Sequence, residues 1–338
     1  MSKNTLTTIS EATGFSVSTV SRVLSGKGRT YRISDRTIAL IMAEAEKCHY
    51  TPDLIAKSLK TNHTDTVGLT VPNIDNPFFA NLASVVMGNL KQHDYHVLLA
   101  DSMESEKEEK EALAMFVSRK VDGIIAVPID SSPARYEQIA KDTPVVLIDR
   151  YFEKTTLPYI CTDNYTGSRM ATDYLIRKGY RNILAIQGVQ TALSNRDRAK
   201  GFLDAAGARK DLSIRTRIAG NAFSVENGYR ETLNILKSGN RPDAIYSFSS
   251  TILLGSIMAL REQGIRIPGE IGLISFDNNG FLDYLDPAIT RVEQPLAEIG
   301  RKATEILFDL IGRKRKRLPE PPPVQELLKP TLIVRDSC

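Results

Sequence analysis

The sequence predicts an N-terminal all-α helix-turn-helix headpiece joined to an α/β core of two doubly wound parallel-sheet lobes. Three observations carry that expectation. Gly14 followed by the hydroxyl-rich run Ser16-Val17-Ser18-Thr19-Val20-Ser21-Arg22-Val23-Leu24 has the pattern of a tight turn opening a short helix. From about Thr66, apolar runs of strand length alternate with amphipathic helical stretches almost to the end. That alternation restarts after Asp163, which divides the core into halves of similar length.

In the headpiece, Leu6, Ile9 and Thr13 bracket a first helix that ends at Gly14. A glycine there supplies the left-handed residue a sharp interhelical turn needs. Ser16 is placed to cap the second helix through its hydroxyl. Val20, Val23 and Leu24 fall at i, i+3 and i+4 and face inward. The outer face is Val17, Ser18, Thr19, Ser21 and Arg22. Serine and threonine are indifferent helix formers, so something other than helix stability selects them. Their hydroxyls suit phosphates, and an arginine fork suits guanine in the major groove. Ser34 caps a third helix with an expected inner face of Ile38, Ile41, Met42 and Ala45. The link from Gly26 to Arg32 is basic, and Thr51-Pro52 stops the third helix.

Charge follows the same division. Residues 1–63 hold nine Lys/Arg and five Asp/Glu, a surplus of four that equals the +4 of the whole chain. The remaining residues balance, so the positive field sits where a polyanion would be met. At 338 residues two or three domains are expected. A hydrophobic content of 42% with 25% charged residues is that of a globular protein outside the membrane. No apolar run is long enough to span a bilayer, and Met1-Ser2-Lys3-Asn4-Thr5 has no signal character. Cys48, Cys161 and Cys338 lack metal-ligand spacing, and so sparse a set suits a reducing cytoplasm. The expected location is therefore cytoplasmic, with no cofactor and no metal.

The core strands are read at Val67–Val71, His96–Ala100, Asp122–Val127 and Pro144–Asp149, then at Asn182–Ile186, Ala244–Phe248 and Ile271–Phe276. Continuous apolar strands separated by helices mean parallel sheets covered on both faces. Two facing lobes make a cleft at the carboxyl ends of their strands, fit for a small molecule. Short returns near Thr290–Glu293 and Leu332–Arg335 carry the chain back between lobes. The expected domains are a headpiece at 1–50 and a hinge helix or linker at 51–64. The first lobe is 65–162 with about 293–323, and the second is 163–292 with about 324–338.

Motifs along the whole length resemble the lactose-repressor/galactose-repressor family of bacterial transcription regulators. They are Ser16–Leu24, Tyr50-Thr51-Pro52-Asp53-Leu54-Ile55-Ala56-Lys57-Ser58-Leu59-Lys60-Thr61, Val71-Pro72-Asn73-Ile74-Asp75-Asn76-Pro77-Phe78-Phe79, Val121–Ile125, Val145–Arg150 and Phe276-Asp277. The resemblance implies a periplasmic-binding-protein-like core and a regulator, most often a repressor, of palindromic operator DNA. It implies base reading by Val17, Ser18 and Arg22, and phosphate contacts from Ser16, Thr19 and Ser21. It also implies a hinge helix whose Leu59 wedges into the minor groove with Ala56 close to the duplex. In the core it implies a sugar-like effector held by Phe78, Phe79, Asp149, Ser194, Arg198, Phe223 and Asp277. The sequence departs from the family pattern at Asp53 and at Ser249-Ser250, so effector identity does not carry over.

Enzyme chemistry finds little support. There is no phosphate-cradling glycine loop, and none of His49, His63, His93 and His96 pairs with a nucleophile motif. The run Arg313-Lys314-Arg315-Lys316-Arg317 reads as a solvated helix end. A homodimer is expected, because one headpiece reads too few bases. The helix with Leu82, Val85 and Val86 is a candidate dimer face, and the absence of later heptads argues against a zipper-driven tetramer.

Overall fold

A computed structural model describes residues 5–51, 63–209, 211–319 and 321–338. Two compact units result, Met1–Thr64 and Asp65–Cys338. The hinge residues Ala56 and Leu59 lie outside the described residues.

The first unit holds α1 (Leu6–Thr13), α2 (Val17–Leu24) and α3 (Asp35–Lys47). Each is opened by a hydroxyl cap: Thr5 accepts from the Thr8 amide, Ser16 from Thr19 and Ser34 from Thr37. Gly14 closes α1 at φ 72°, and its amide donates to Ser10 O. Ile9, Val20, Val23, Ile41 and Ala45 form the core. Met42, expected inside, is exposed: it follows Ile41 directly, and the helical period turns it about 100° from the buried stripe.

The second unit contains β1 (Thr66–Val71), β2 (His96–Asp101), β3 (Gly123–Ala126), β4 (Val145–Ile148), β5 (Tyr159–Thr162), β6 (Asn182–Ile186), β7 (Arg215–Ala219), β8 (Ala244–Ser247), β9 (Gly272–Phe276), β10 (Thr290–Glu293), β11 (Gln325–Leu328) and β12 (Thr331–Ile333). Its helices are α4 (Pro77–Lys91), α5 (Glu106–Ser118), α6 (Ala134–Ala140), α7 (Asn164–Arg177), α8 (Leu193–Gly207), α9 (Val225–Lys237), α10 (Ser250–Glu262) and α11 (Leu296–Arg315). The first sheet runs β11-β5-β4-β3-β1-β2 and the second β12-β10-β9-β8-β6-β7. All pairings are parallel except β12 on β10.

Strand periodicity builds both faces of the first sheet. Val67, Leu69, Val71, Ile125, Val127, Val146 and Ile148 pack toward α4 and α11. Ile124, Ala126, Val145 and Leu147 pack on the other face with Phe116 of α5 and Tyr136 of α6. Gly68 completes that second face, because a Cβ there would lie 2.5 Å from the Phe116 ring. In the second lobe α9 and α10 touch backbone to backbone. A Cβ on Gly255 would run into the Val225 carbonyl, and one on Gly228 into that of Ile252.

Two expectations change here. Residues from about 324 to 338 are expected in the second lobe; β12 does join its sheet, yet β11 pairs in parallel with β5 of the first. An edge strand of four residues, Gln325-Glu326-Leu327-Leu328, lacks the apolar continuity of the central strands and reads like linker. The crossings therefore lie between β5 and α7, between β10 and α11, and between β11 and β12. Leu82 and Val86, on the candidate dimer face, are buried in the lobe, and Val85 lies against Gly300 of α11.

Candidate nucleic-acid interface and interlobe cleft

In the first unit, α2 presents Ser16, Val17, Ser18 and Arg22 to solvent, with Thr19 and Ser21 half-buried. The Ser16 hydroxyl lies 2.9 Å from those of both Ser18 and Thr19, so the cap and two outward hydroxyls form one polar cluster. Arg22 lies over the Tyr31 ring, 4.2 Å from its centroid. That contact limits the guanidinium's rotamers and was not foreseen from sequence.

In the second unit, the carboxyl ends of β4 and β9 deliver Asp149 and Asp277 from opposite lobes. Both follow their strands in the left-handed region, at φ 61° and 75°. Arg198 of α8 acts on both carboxylates through its charge. Its Nε donates to Asn164 Oδ1 at 2.8 Å, its Nη1 to Phe248 O, and its face lies 3.8 Å from the Phe276 ring centroid. Nη2 has no hydrogen-bond partner among the described residues, so that edge remains able to donate.

The electrostatics bind the three residues together. Burial pushes Asp149 up to about 6, opposed by Arg150 and Arg198 and helped by Asp277 and Glu104. Burial also raises Asp277, opposed by Arg198, by a 2.7 Å bond from Gln294 Nε2, and by the Ser250 amide at 3.4 Å. Arg150 itself grips Glu104 through two bonds of 3.0 and 3.1 Å and lies over Phe79.

The other expected residues divide. Phe78 and Phe79 meet edge to face at 5.1 Å and belong to the first-lobe core, with Phe79 also beneath Arg150. Ser194 is buried near the start of α8, and its hydroxyl makes no hydrogen bond within the described residues. Phe223 covers the backbone of Gly188 just past β6, where no Cβ would fit. Residues that sequence reasoning missed complete the cleft. Gln294 accepts from Thr162 Oγ1 at 2.6 Å, and Asn279 donates to Ser250 Oγ at 2.7 Å. Asn81 to Asn279 at 3.2 Å and Arg196 to Glu153 at 3.2 Å fasten one lobe to the other. The position of Gln294 beside a predicted return strand was the one available signal.

A model of the periplasmic binding protein-like domain matches residues 172–338. The HTH-type transcriptional repressor PurR of Edwardsiella ictaluri is 30% identical over 315 residues, covering 92% of each chain. The chain belongs to the lactose-repressor/galactose-repressor family. It is a DNA-binding transcriptional regulator. The lac repressor dimer bound to operator and the anti-inducer ONPF shares the fold at a TM-score of 0.85 and 20% identity, over 98% of both chains. A family regulator from Alkaliphilus metalliredigens, solved with D-xylulofuranose, is 31% identical with a TM-score of 0.69, over 81% of this chain and 98% of that one.

Ser249 caps α10 through the Ile252 amide, and Ser250 Oγ is engaged by Asn279. Both hydroxyls are used inside the protein. Among the described residues, no group of three or more His, Cys, Asp or Glu could hold a metal ion, and no helix is long and apolar enough to cross a membrane.

Proposed function

We propose that this chain is a cytoplasmic repressor that binds a palindromic operator as a homodimer. Its affinity is set by a neutral, polyhydroxylated molecule held between Asp149, Arg198 and Asp277. The observation that carries this reading is the pair of buried carboxylates at strand ends of opposite lobes, with the charge of one buried arginine acting on both. Carboxylates accept from ligand hydroxyls, and the open Nη2 donates to a ring or hydroxyl oxygen. With both acids ionised the trio has net negative charge, which disfavours phosphorylated or carboxylated ligands. The sugar in the Alkaliphilus structure supports the same class.

In the headpiece, Val17, Ser18 and Arg22 read bases, while Ser16, Thr19 and Ser21 meet phosphates. The proposed hinge contacts are Ala56 and Leu59. Phe79, Ser194 and Phe223 line the effector site, and Phe78 supports it from the core. Exposed apolar side chains on and beside edge strand β2, namely Met87, Leu99, Met115 and Val117, support self-association. The test is thermal-shift screening of the full chain against free and phosphorylated sugars, followed by operator binding with each hit. Asp277→Ala should keep operator binding and lose the effector response. A response that survives this change places the pocket elsewhere.

A further inference from the structure

The basic run 313–317 sits at a particular end of the first lobe. In a parallel sheet all strand starts and all covering-helix ends share one side. There α4 ends with Lys91, α5 with Arg119 and Lys120 beyond it, α6 with Lys141, and α11 with Arg313, Lys314 and Arg315. This is also the end where the chain enters the lobe. Asp122 Oδ2 accepts both the Asp65 amide at 3.2 Å and Arg315 Nη2 at 2.9 Å, and Arg315 also donates to Tyr95 Oη at 2.8 Å. Asp65 directly precedes β1, so the last turn of α11 is fastened to the root of the segment leading to the DNA-reading unit.

Local chemistry accounts for only part of the run. Arg313 pairs with Asp309, Lys314 reaches the Asp142 carbonyl, and Arg315 is held as described. Cations in a last helical turn also complement the macrodipole. Lys316 and Arg317 lie at and beyond the cap, are exposed, and have no side-chain partner among the described residues. The anchored cations beneath them hold these two at the same end of the lobe as the chain entry.

We propose that this end of the first lobe, led by Lys316 and Arg317, makes a second, sequence-independent contact with phosphates of DNA flanking the operator. The inference rests on the reading of α2 as the base-reading helix. The contact adds affinity and salt dependence without adding base preference, since point cations on phosphates carry no sequence information.

The test compares the full-length chain with Lys316→Glu/Arg317→Glu on two duplexes: a bare operator and the same operator with long flanks. Lys237→Glu, at the end of α9 in the second lobe, is the charge control. The wild type and the control should show a log–log salt slope on flanked DNA steeper by about two to four than on the bare operator, at roughly 0.9 per neutralised phosphate and two cations from each protomer. The double variant should lose that difference and bind flanked DNA about tenfold more weakly at low salt. Its base preference, effector response and thermal midpoint should stay at wild-type values. Equal slopes for wild type and double variant on flanked DNA overturn the proposal. Failure of the underlying reading looks different, because then no duplex would be preferred by any of the proteins.

Discussion

Gln294 donates from Nε2 to Asp277 Oδ1 across 2.7 Å. The same side chain accepts from Thr162, the last residue of β5 before the chain first leaves the lobe, while Gln294 itself lies in the second crossing. One carboxylate of the interlobe cleft is thereby wired to two of the segments that join the lobes. A ligand drawing on Asp277, as proposed, would change the bonding of the crossings between the lobes. Gln294→Leu should shrink the effector-induced change in operator affinity toward unity, from the roughly 5- to 150-fold range typical of allosteric coupling. Operator titrations with and without ligand read the ratio, and an unchanged ratio removes Gln294 from the coupling route.

Asp149 gives the protein a signed pH dependence. Its carboxyl has an ordinary value of 3.8 and stands at about 6 in the fold. The folded chain therefore holds a proton that the unfolded chain has released. The favourable contribution is full below 3.8 and is lost as pH rises past about 6. The shift corresponds to something on the order of 3 kcal/mol. Urea unfolding at pH 5 and pH 8 should show the loss in wild type, and Asp149→Asn should flatten it. Asp277, raised in the same direction, leaves a residual slope of the same sign in that variant. An undiminished fall in Asp149→Asn assigns the effect to other groups.

Arg22 rests on Tyr31, and that contact separates two effects that sequence alone merges. Arg22→Ala should relax preference at one base pair by roughly 1–3 kcal/mol. Tyr31→Ala keeps the guanidinium but frees its rotamers, so affinity should fall while the selected base stays the same. Binding-site selection with both variants distinguishes them. Identical selected sites for Arg22→Ala and wild type would take Arg22 out of base reading.

Glycines in the core make opposite predictions by position. Gly255 faces the Val225 carbonyl with no room for a Cβ, so Gly255→Ala should destabilise by about 2 kcal/mol or more. Gly312, late in α11, has nothing within 4 Å, and Gly312→Ala should stabilise by about 0.5–1 kcal/mol. Thermal midpoints moving together would contradict the close approach of α9 and α10.

The amino-acid order alone announced the headpiece helices and the buried core strands. The helix caps at Ser16 and Ser34, the turn at Gly14 and the buried strands β1, β3, β4, β6, β8 and β9 are local features. Side-chain hydroxyls, glycine's freedom and apolar runs act within a few residues of themselves. Asp149, Arg198 and Asp277 were legible through family motifs. Their meeting in one buried trio was not, because more than forty positions separate each from the next. Chain crossings and sheet edges went furthest astray: the β11 residues are expected in the second lobe but pair in the first, Thr162, Asn279 and Asn81 carried no signal, and Gln294 was marked only by its place beside a return strand. A polar residue in a crossing has no period to betray it. Its role exists only once parallel pairing sets two sheets side by side and brings the carboxyl ends of their strands together.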